Sequence, residues 1–204
     1  MRPDASMRLY LIRHGESVAN AAGLVTGSID TPLSNRGRQQ VAELFSSKLR
    51  QIRFDHVFSS SAQRARETAA ILFPEGYINV DAALLETDAG DVAEWTLTKF
   101  NQNYTAFNTD FDPRRPYPGG ESHYDLYVRV NQWLDKFLRE YKGSSNVALV
   151  VHGGPIVCVL HRALDIPVEQ FPCCQIENAS VTEVLVNYVG NQAVLSHGDK
   201  GEVP

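Results

Sequence analysis

The fold of this chain is decided by the stretch LYLIRHGE at residues 9–16, together with a later stretch, ALVVHGG, at residues 148–154. Each is an apolar run of strand length that ends in His-Gly. Such runs are typical of strands buried on both faces of a parallel sheet. A residue directly after such a strand lies at the carboxyl edge of the sheet, where open α/β folds bind ligands. The two stretches therefore predict that His14 and His152 lie at one ligand-binding edge.

The rest of the chain alternates between predicted strands and predicted helices. Further strands are expected at residues 55–59, 78–80, 180–187 and 193–196, with turn chemistry at Gly190-Asn191 before the last. Helices are expected after the N-cap residues Ser34 and Ser122 and over residues 62–73 and 156–164. This alternation predicts an α/β fold, a three-layer sandwich with a mostly parallel central sheet flanked by helices.

The domain organisation follows from length and from one unusual segment. A chain of 204 residues fits a single domain with a full-sized core, so one domain over residues 1–204 is expected. Residues 88–121 are rich in Asp, Asn, Pro and aromatic residues and close with Pro118-Gly119-Gly120. An irregular lid or insertion over the active edge is predicted there.

Composition narrows the class of partner. A hydrophobic content of 43% with 21% charged residues is that of an ordinary globular protein, and a net charge of -5 argues against nucleic acid as a partner. No apolar stretch approaches the roughly 20 residues that span a bilayer, so no membrane partner is expected. The three cysteines show no paired spacing, which favours reduced thiols and a cytoplasmic location. The oligomeric state is left open, with a homo-oligomer among the options.

The residue types at the predicted edge fit phosphoryl transfer. A neutral imidazole, such as that of His14, attacks phosphorus near pH 7 and forms a phosphoramidate labile enough to hydrolyse. Phosphoryl oxygens suit the guanidinium fork, which Arg13 and Arg64 supply. A leaving alkoxide needs a proton, for which Glu86, just beyond the third strand, is the candidate. With His152, these residues predict a phosphate site on one sheet edge.

Several other residues have weaker claims. Arg66 lies two residues from Arg64 and is a similar candidate for binding phosphate. Arg114 and Arg115 are expected to be solvated charges. The remaining histidines lack partners at metal-ligand spacing, so structural roles and no metal site are predicted for His56, His123, His161 and His197. His123, close after Pro118-Gly119-Gly120, is also a candidate for the border of the pocket.

These motifs together resemble the histidine phosphatase superfamily, in its phosphoglycerate-mutase-like branch. The matching segments are RHGES at 13–17 with Asn20, TG at 26–27, DTPLS at 30–34 with Gly37, SSAQRARETA at 60–69, Glu86, and HG at 152–153. They occur in the family's order from residue 8 to about residue 182. The resemblance implies a phosphoglycerate-mutase-like fold.

The resemblance also implies a role for each matching residue. His14 would be the phosphorylated nucleophile, and Glu86 the proton donor and then the base for water. Arg13, Arg64 and His152 would clamp the phosphoryl group. Secondary substrate contacts are expected from Asn20, Thr26, Gly27 and the N–H of Gly153. No metal and no cofactor are implied.

One segment departs from the family pattern. A Gly-x-Trp-Glu-Gly stretch often follows the acid in this family, and residues 90–94 here are GDVAE. Glu94 is therefore a second, weaker candidate for the proton donor, beside Glu86.

The leading hypothesis for function is a metal-independent phosphomonoesterase acting on a small phosphorylated metabolite through phosphohistidine on His14. The alternative is a phosphoglycerate-type phosphomutase, which shares the first half-reaction, and a non-catalytic phosphate-binding scaffold is a distant third. Hydrolysis is favoured because His152 is followed by Gly-Gly-Pro-Ile, which resembles the phosphatase members of the family. The mutases have a pattern similar to His-Gly-Asn-Ser at this point. The segment between Glu86 and Gly119 is also short and poor in basic residues, which suits a mutase badly because a mutase must exclude water from the phosphoenzyme.

Overall fold

The centre of the molecule is one mixed β-sheet. The computed structural model describes residues 6–27, 29–105, 110–143, 146–187 and 192–200. Its strands are β1 (Ser6–Arg13), β2 (His56–Ser60), β3 (Ile78–Asp81), β4 (Asn146–Val151), β5 (Val181–Asn187) and β6 (Gln192–Asp199). They lie in the order β3-β2-β4-β1-β5-β6. The four strands from β3 to β1 run parallel, β5 pairs antiparallel with β1, and β6 pairs antiparallel with β5, which confirms the predicted mostly parallel sheet.

Helices cover both faces of this sheet. They are α1 (Val18–Ala21), α2 (Asn35–Leu44), α3 (Gln63–Leu72), α4 (Leu97–Asn103), α5 (His123–Glu140) and α6 (Gly153–Ala163). One core cluster joins alternate residues of β1 and β4 to α5 and α6, and a second joins the other residues of these strands to α2 and α3. Strands with both faces buried in this way are continuously apolar. The three-layer α/β architecture is therefore confirmed.

Helix starts follow the predicted caps. The Ser34 hydroxyl accepts the N–H of Gly37 at the start of α2. Ser122 and Asp125 form a reciprocal capping box at the start of α5. These local hydrogen bonds satisfy donors that a helix leaves unpaired in its first turn.

The segment over residues 88–121 contains more regular structure than expected. It holds a short 3-10 turn, Gly90–Val92, and helix α4, whose Phe100 packs with Ala89 and Val92 in a small third cluster. The predicted irregular stretch is thus partly helical because these apolar residues have a core of their own. The predicted Gly190-Asn191 turn lies outside the described residues. Within those residues, no helix has the length and apolar character needed to cross a membrane.

Candidate active site

The two histidines lie side by side because their strands are neighbours. β1 and β4 are paired so that Arg13 lies opposite Val151, and the N–H of His14 donates to the carbonyl of Val151 at 3.0 Å. The imidazole centroids of His14 and His152 are 5.0 Å apart, with the rings inclined at 66°. Both side chains are buried. The carboxyl edge thus brings together the two histidines of the predicted pair.

The imidazole of His14 is held with one nitrogen toward an arginine. Its Nδ1 lies 2.7 Å from the carbonyl oxygen of Gly15, and its Nε2 receives the Nε–H of Arg64 at 3.2 Å. A carbonyl only accepts, so the hydrogen-bond pattern assigns the ring proton to Nδ1 and the lone pair to Nε2. Nε2 is therefore the nitrogen able to attack.

The electrostatic surroundings keep both histidines neutral. Burial lowers the pKa of His14 well below its ordinary value, and the guanidinium groups of Arg64 and Arg13 lower it further. Burial likewise lowers the pKa of His152, followed by the charge of Arg64. An unprotonated imidazole is the nucleophilic form. The same arginines that suit a phosphoryl group thus also keep the nucleophile uncharged.

His152 retains one free polar atom. Its Nε2 lies 2.8 Å from the hydroxyl of Ser60, at the end of β2. Its Nδ1 is buried and has no hydrogen-bond partner among the described residues. With the Ser60 hydroxyl donating to Nε2, the neutral ring carries its proton on Nδ1, available to a ligand.

Arg64 is buried at the start of α3 and ties two parts of the site together. Its Nη1 donates to the carbonyl of Ile29 at 2.6 Å, and its Nη2 to that of Gly27 at 3.2 Å, while Nε reaches His14. It is 1% exposed. Arg66 is exposed on the opposite side of the helix, so the structure brings Arg64 and not Arg66 to the site.

Arg13, the last residue of β1, also belongs to the site. One terminal nitrogen donates to the carbonyl of Ile176, and its Nε is buried with no partner among the described residues. Burial lowers the pKa of Arg13, an effect that the charges of Glu86 and Glu177 oppose. An unpaired buried guanidinium N–H is costly, so Arg13 is poised to donate to an anion.

The carboxylate of Glu86 is held against the first turn of α6. Oε2 accepts the N–H of Gly154 at 3.1 Å, and Oε1 accepts the N–H of Thr87 at 3.0 Å. A Cβ on Gly153 would lie 3.9 Å from Oε2 of Glu86 and 4.0 Å from Nε of Arg13, so carboxylate and guanidinium converge there. Glu94 is exposed and does not line the cavity, so the structure does not bring this rival acid to the site.

A cavity of about 420 Å³ is lined by Arg13 and Glu86, whereas the buried His14, Arg64 and His152 are not among its lining residues. Three of the expected secondary contacts line it: Thr26, Gly27 and Gly153. Asn20 does not. Its side-chain oxygen accepts the N–H of Ser17 at 3.1 Å within the cap of α1, a local use of an asparagine that a motif match does not reveal.

The other histidines and arginines are arranged as follows. His123 lines the cavity, whereas His161 does not, and its Nδ1 lies 3.0 Å from the carbonyl oxygen of Ile166. Arg114 pairs with Glu169 at 2.9 Å and Arg115 with Asp110 at 3.1 Å, and neither lines the cavity. In the described parts of the chain, His, Cys, Asp and Glu side chains form no group of three or more suited to a metal ion.

Arg129 in α5 is a site residue that the sequence analysis missed. Its Nη1 donates to the carbonyls of Ala83 and Leu85 at 2.8 and 3.1 Å, and its Nη2 to the carbonyl of Glu86 at 3.3 Å. The guanidinium also pairs with Glu121 at 2.8 Å. It fixes the backbone that carries the acid. No side-chain motif signals this role, because the groups that it holds near the acid are backbone carbonyls.

The lowered pKa values predict how stability depends on pH. Between the folded pKa of His14 and its ordinary value near 6.5, the unfolded chain binds a proton that the native site refuses, so stability falls as pH falls through this window. The limiting slope is about 1.4 kcal/mol per pH unit for each such histidine. We expect His14→Ala to unfold with a shallower pH slope below pH 6.5 than the unaltered chain, measured by urea titration at several pH values. An unchanged slope would show that His14 does not resist protonation.

Comparison with known proteins identifies the family. The sequence model of the histidine phosphatase superfamily (branch 1) matches residues 9–199. The chain is 32% identical to an adenosylcobalamin/alpha-ribazole phosphatase of Salmonella typhi, over 79% of this chain and 81% of the relative. It is also 32% identical to a protein of Citrobacter koseri named "probable phosphoglycerate mutase GpmB", over 87% and 84%.

A solved structure shares the fold along almost the whole length. Mycobacterial glucosyl-3-phosphoglycerate phosphatase superposes with a TM-score of 0.85 at 25% identity, covering 95% of this chain and 99% of that one. The chain belongs to the histidine phosphatase superfamily and is an enzyme of the phosphomonoesterase type.

Proposed function

We propose that the chain hydrolyses phosphate monoesters of small metabolites through a phosphohistidine on Nε2 of His14. One observation carries the proposal: the neutral imidazole of His14 is buried with Nε2 toward Arg64, and the Glu86 carboxylate converges with the half-buried Arg13 at the first turn of α6. The named phosphatase relatives act on small phosphorylated substrates, which agrees with this assignment.

The first half-reaction transfers the phosphoryl group to the enzyme. Nε2 of His14 attacks phosphorus, the N–P bond forms, and the bond from phosphorus to the ester oxygen breaks. Protonated Glu86 gives its proton to that oxygen, so the product leaves as a neutral alcohol. Arg13, Arg64 and the Nδ1–H of His152 donate to the non-bridging oxygens, whose charge they balance through the transition state.

The second half-reaction returns the enzyme to its starting state. Glu86, now a carboxylate, takes a proton from water as the water oxygen attacks phosphorus. The N–P bond breaks, inorganic phosphate is released, and the electron pair returns to Nε2 of His14. The N–H of Gly154 holds the carboxylate in place for both proton transfers. No metal or cofactor takes part in either step.

Phosphoryl return to a second hydroxyl is the alternative fate of the phosphoenzyme, and one contact favours hydrolysis. A Cβ on Gly154 would lie 2.1 Å from Oε1 of Glu86, so a side chain at this position requires the Glu86 carboxylate to move. The mutase-like pattern His-Gly-Asn-Ser has asparagine at this position. The Glu86 conformation seen here therefore fits the Gly-Gly pattern that resembles the phosphatases.

The proposal also includes the predicted domain, lid, location and partners. We infer one histidine phosphatase domain over residues 1–204, supported by a family match that extends from residue 9 to residue 199. The segment over 88–121 is proposed as its lid, because Ala89, Leu97 and Tyr117 line the cavity. A cytoplasmic location and the absence of nucleic-acid and membrane partners are proposed from composition alone.

The proposal is tested by inorganic phosphate release from a panel of monoesters in the presence of EDTA. We expect release at the same rate with and without the chelator. Loss of activity in EDTA would contradict the metal-independent mechanism. Isomerisation of a phosphoester without phosphate release would indicate the mutase instead.

The acid role of Glu86 has its own test. Glu86→Gln keeps the shape of the side chain but has no proton to give, so alkyl phosphates, whose alkoxides leave poorly, are expected to lose about 10²–10⁴-fold in kcat. p-Nitrophenyl phosphate needs little protonation of its leaving group and is expected to lose much less in the first step. The exposed Glu94→Gln is the matched control. Equal losses for both classes of ester would remove Glu86 from the role of acid.

A further inference from the structure

The cavity above the phosphate site has walls of a different character from its floor. The floor presents Arg13, Glu86 and the glycines at the start of α6. The walls are mainly apolar or aromatic and include Leu24, Val25, Leu97, Tyr117, His123 and Phe171. The part of a substrate that extends from the phosphoryl group therefore meets these walls.

Three rings on these walls pack on one another. Phe171 and His123 are stacked with centroids 4.5 Å apart, and Tyr117 meets His123 edge-on at 5.6 Å. Burial lowers the pKa of His123 although the charge of Glu86 opposes it, and burial raises the pKa of Tyr117 to about 12. All three rings are therefore uncharged near neutral pH, and aromatic walls of this kind favour flat rings.

The mouth of the cavity exposes an apolar residue. Leu97, the first residue of α4, is 52% exposed although it lines the cavity. Covering such a side chain with an apolar group releases water and favours binding. A substrate body that reaches Leu97 gains this contact.

The cavity offers no cation for a second anionic group. Arg13 and Glu86 are the only formally charged side chains among its described lining residues. With Arg13 and Arg64 occupied by the phosphoryl group, a carboxylate on the substrate loses water without gaining a cationic partner among the described lining residues.

We propose, building on the proposed phosphatase function, that the preferred substrates are phosphate monoesters of uncharged, ring-bearing alcohols. The cavity volume of about 420 Å³ suits a body of that size. Esters with a second anionic group, phosphoglycerates among them, are disfavoured.

Binding of three phosphonates in EDTA tests the substrate class without turnover. They are naphthylpropylphosphonate, propylphosphonate and carboxypropylphosphonate, with Kd measured by calorimetry on the unaltered protein. We expect Kd for the naphthyl compound to be at least about tenfold below that of the propyl compound, which is about 1.4 kcal/mol. The carboxylate should raise Kd above that of the propyl compound. Equal affinities, the reverse order, or no binding by any of them would overturn the proposal.

A charge introduced at the mouth should change this order. Leu97→Lys is expected to reduce the advantage of the naphthyl compound over the carboxyl compound by about tenfold, because the new cation faces the substrate body. Val80→Lys adds the same charge at a residue that is 53% exposed on β3, outside the cavity, and should leave the ratio unchanged. Equal effects of both substitutions would contradict a role for the cavity walls.

Turnover of the matching esters separates this proposal from the one it rests on. Naphthylpropyl, propyl and carboxypropyl phosphate have similar leaving groups, so differences in kcat/KM report recognition. If the phosphonates bind in the expected order but no ester releases phosphate, the proposed function fails and the ligand class stands. If all three esters are hydrolysed with equal kcat/KM, the function stands and the substrate class is wrong.

Discussion

Replacement of His14 by alanine is expected to abolish phosphate release, with a loss of at least about 10⁴-fold in kcat. The substitution removes Nε2, the imidazole nitrogen that faces Arg64 and carries the lone pair. Water that enters the vacated space is a weaker nucleophile than imidazole. The reaction is therefore slow even though the arginines still stabilise the transition state. Initial rates of phosphate release measure the loss.

The covalent intermediate gives the same prediction a second readout. The unaltered protein, quenched in alkali during turnover of a labelled ester, should carry acid-labile label, and His14→Ala should carry none. His56→Ala is a suitable control, because His56 begins β2 at the opposite end of the sheet and packs on Tyr141 with ring centroids 4.7 Å apart. Turnover by His14→Ala within tenfold of the unaltered protein would place the nucleophile elsewhere.

Local signals explain which parts of the site could be predicted from the sequence. His14 and His152 follow apolar runs that form strands for simple reasons of burial, and adjacent parallel strands necessarily deliver their next residues to one edge. Ser34 and Ser122 cap helices through hydrogen bonds that span three residues. The strand-forming runs and the caps depend on neighbours in the chain, so a single sequence contains them, and the common edge then follows from the α/β pattern of the whole chain.

Long-range contacts explain what could not be predicted. Arg129 binds backbone carbonyls 43 to 46 residues away, and a carbonyl has no residue type by which a pattern could find it. Phe171 reaches the cavity wall from beyond α6, and nothing in its own flanks indicates that it stacks on His123. The partial helicity of residues 88–121 arises from packing of Phe100 against Ala89 and Val92 and not from a strong local periodicity.

Because Glu86 contacts α6, the two glycines that follow His152 differ in how well they tolerate a side chain. Oε1 of Glu86 lies 2.1 Å from the position of a Cβ on Gly154, and a Leu126 methyl carbon lies 2.7 Å from it. At Gly153, by contrast, the nearest atoms to a Cβ are 3.9 and 4.0 Å away. One methyl group therefore displaces the acid at one position and meets only ordinary contacts at the next.

Gly154→Ala is expected to lower kcat for alkyl phosphates by about 10²-fold or more, because the methyl group drives the carboxylate out of its hydrogen bond to the N–H of residue 154. Overpacking against Leu126 should also lower the free energy of unfolding by about 1–3 kcal/mol, so rates are compared at a temperature where the variant is folded.

Gly153→Ala is the matched control, because residue 153 keeps its N–H and has room for a methyl group. Its loss in kcat should stay within about tenfold. p-Nitrophenyl phosphate, whose leaving group needs little protonation, should distinguish the cause: a displaced acid spares its hydrolysis, whereas a collapsed phosphate site does not. Equal rates for Gly154→Ala and the unaltered protein on alkyl esters would mean that the carboxylate held against α6 is not the proton donor.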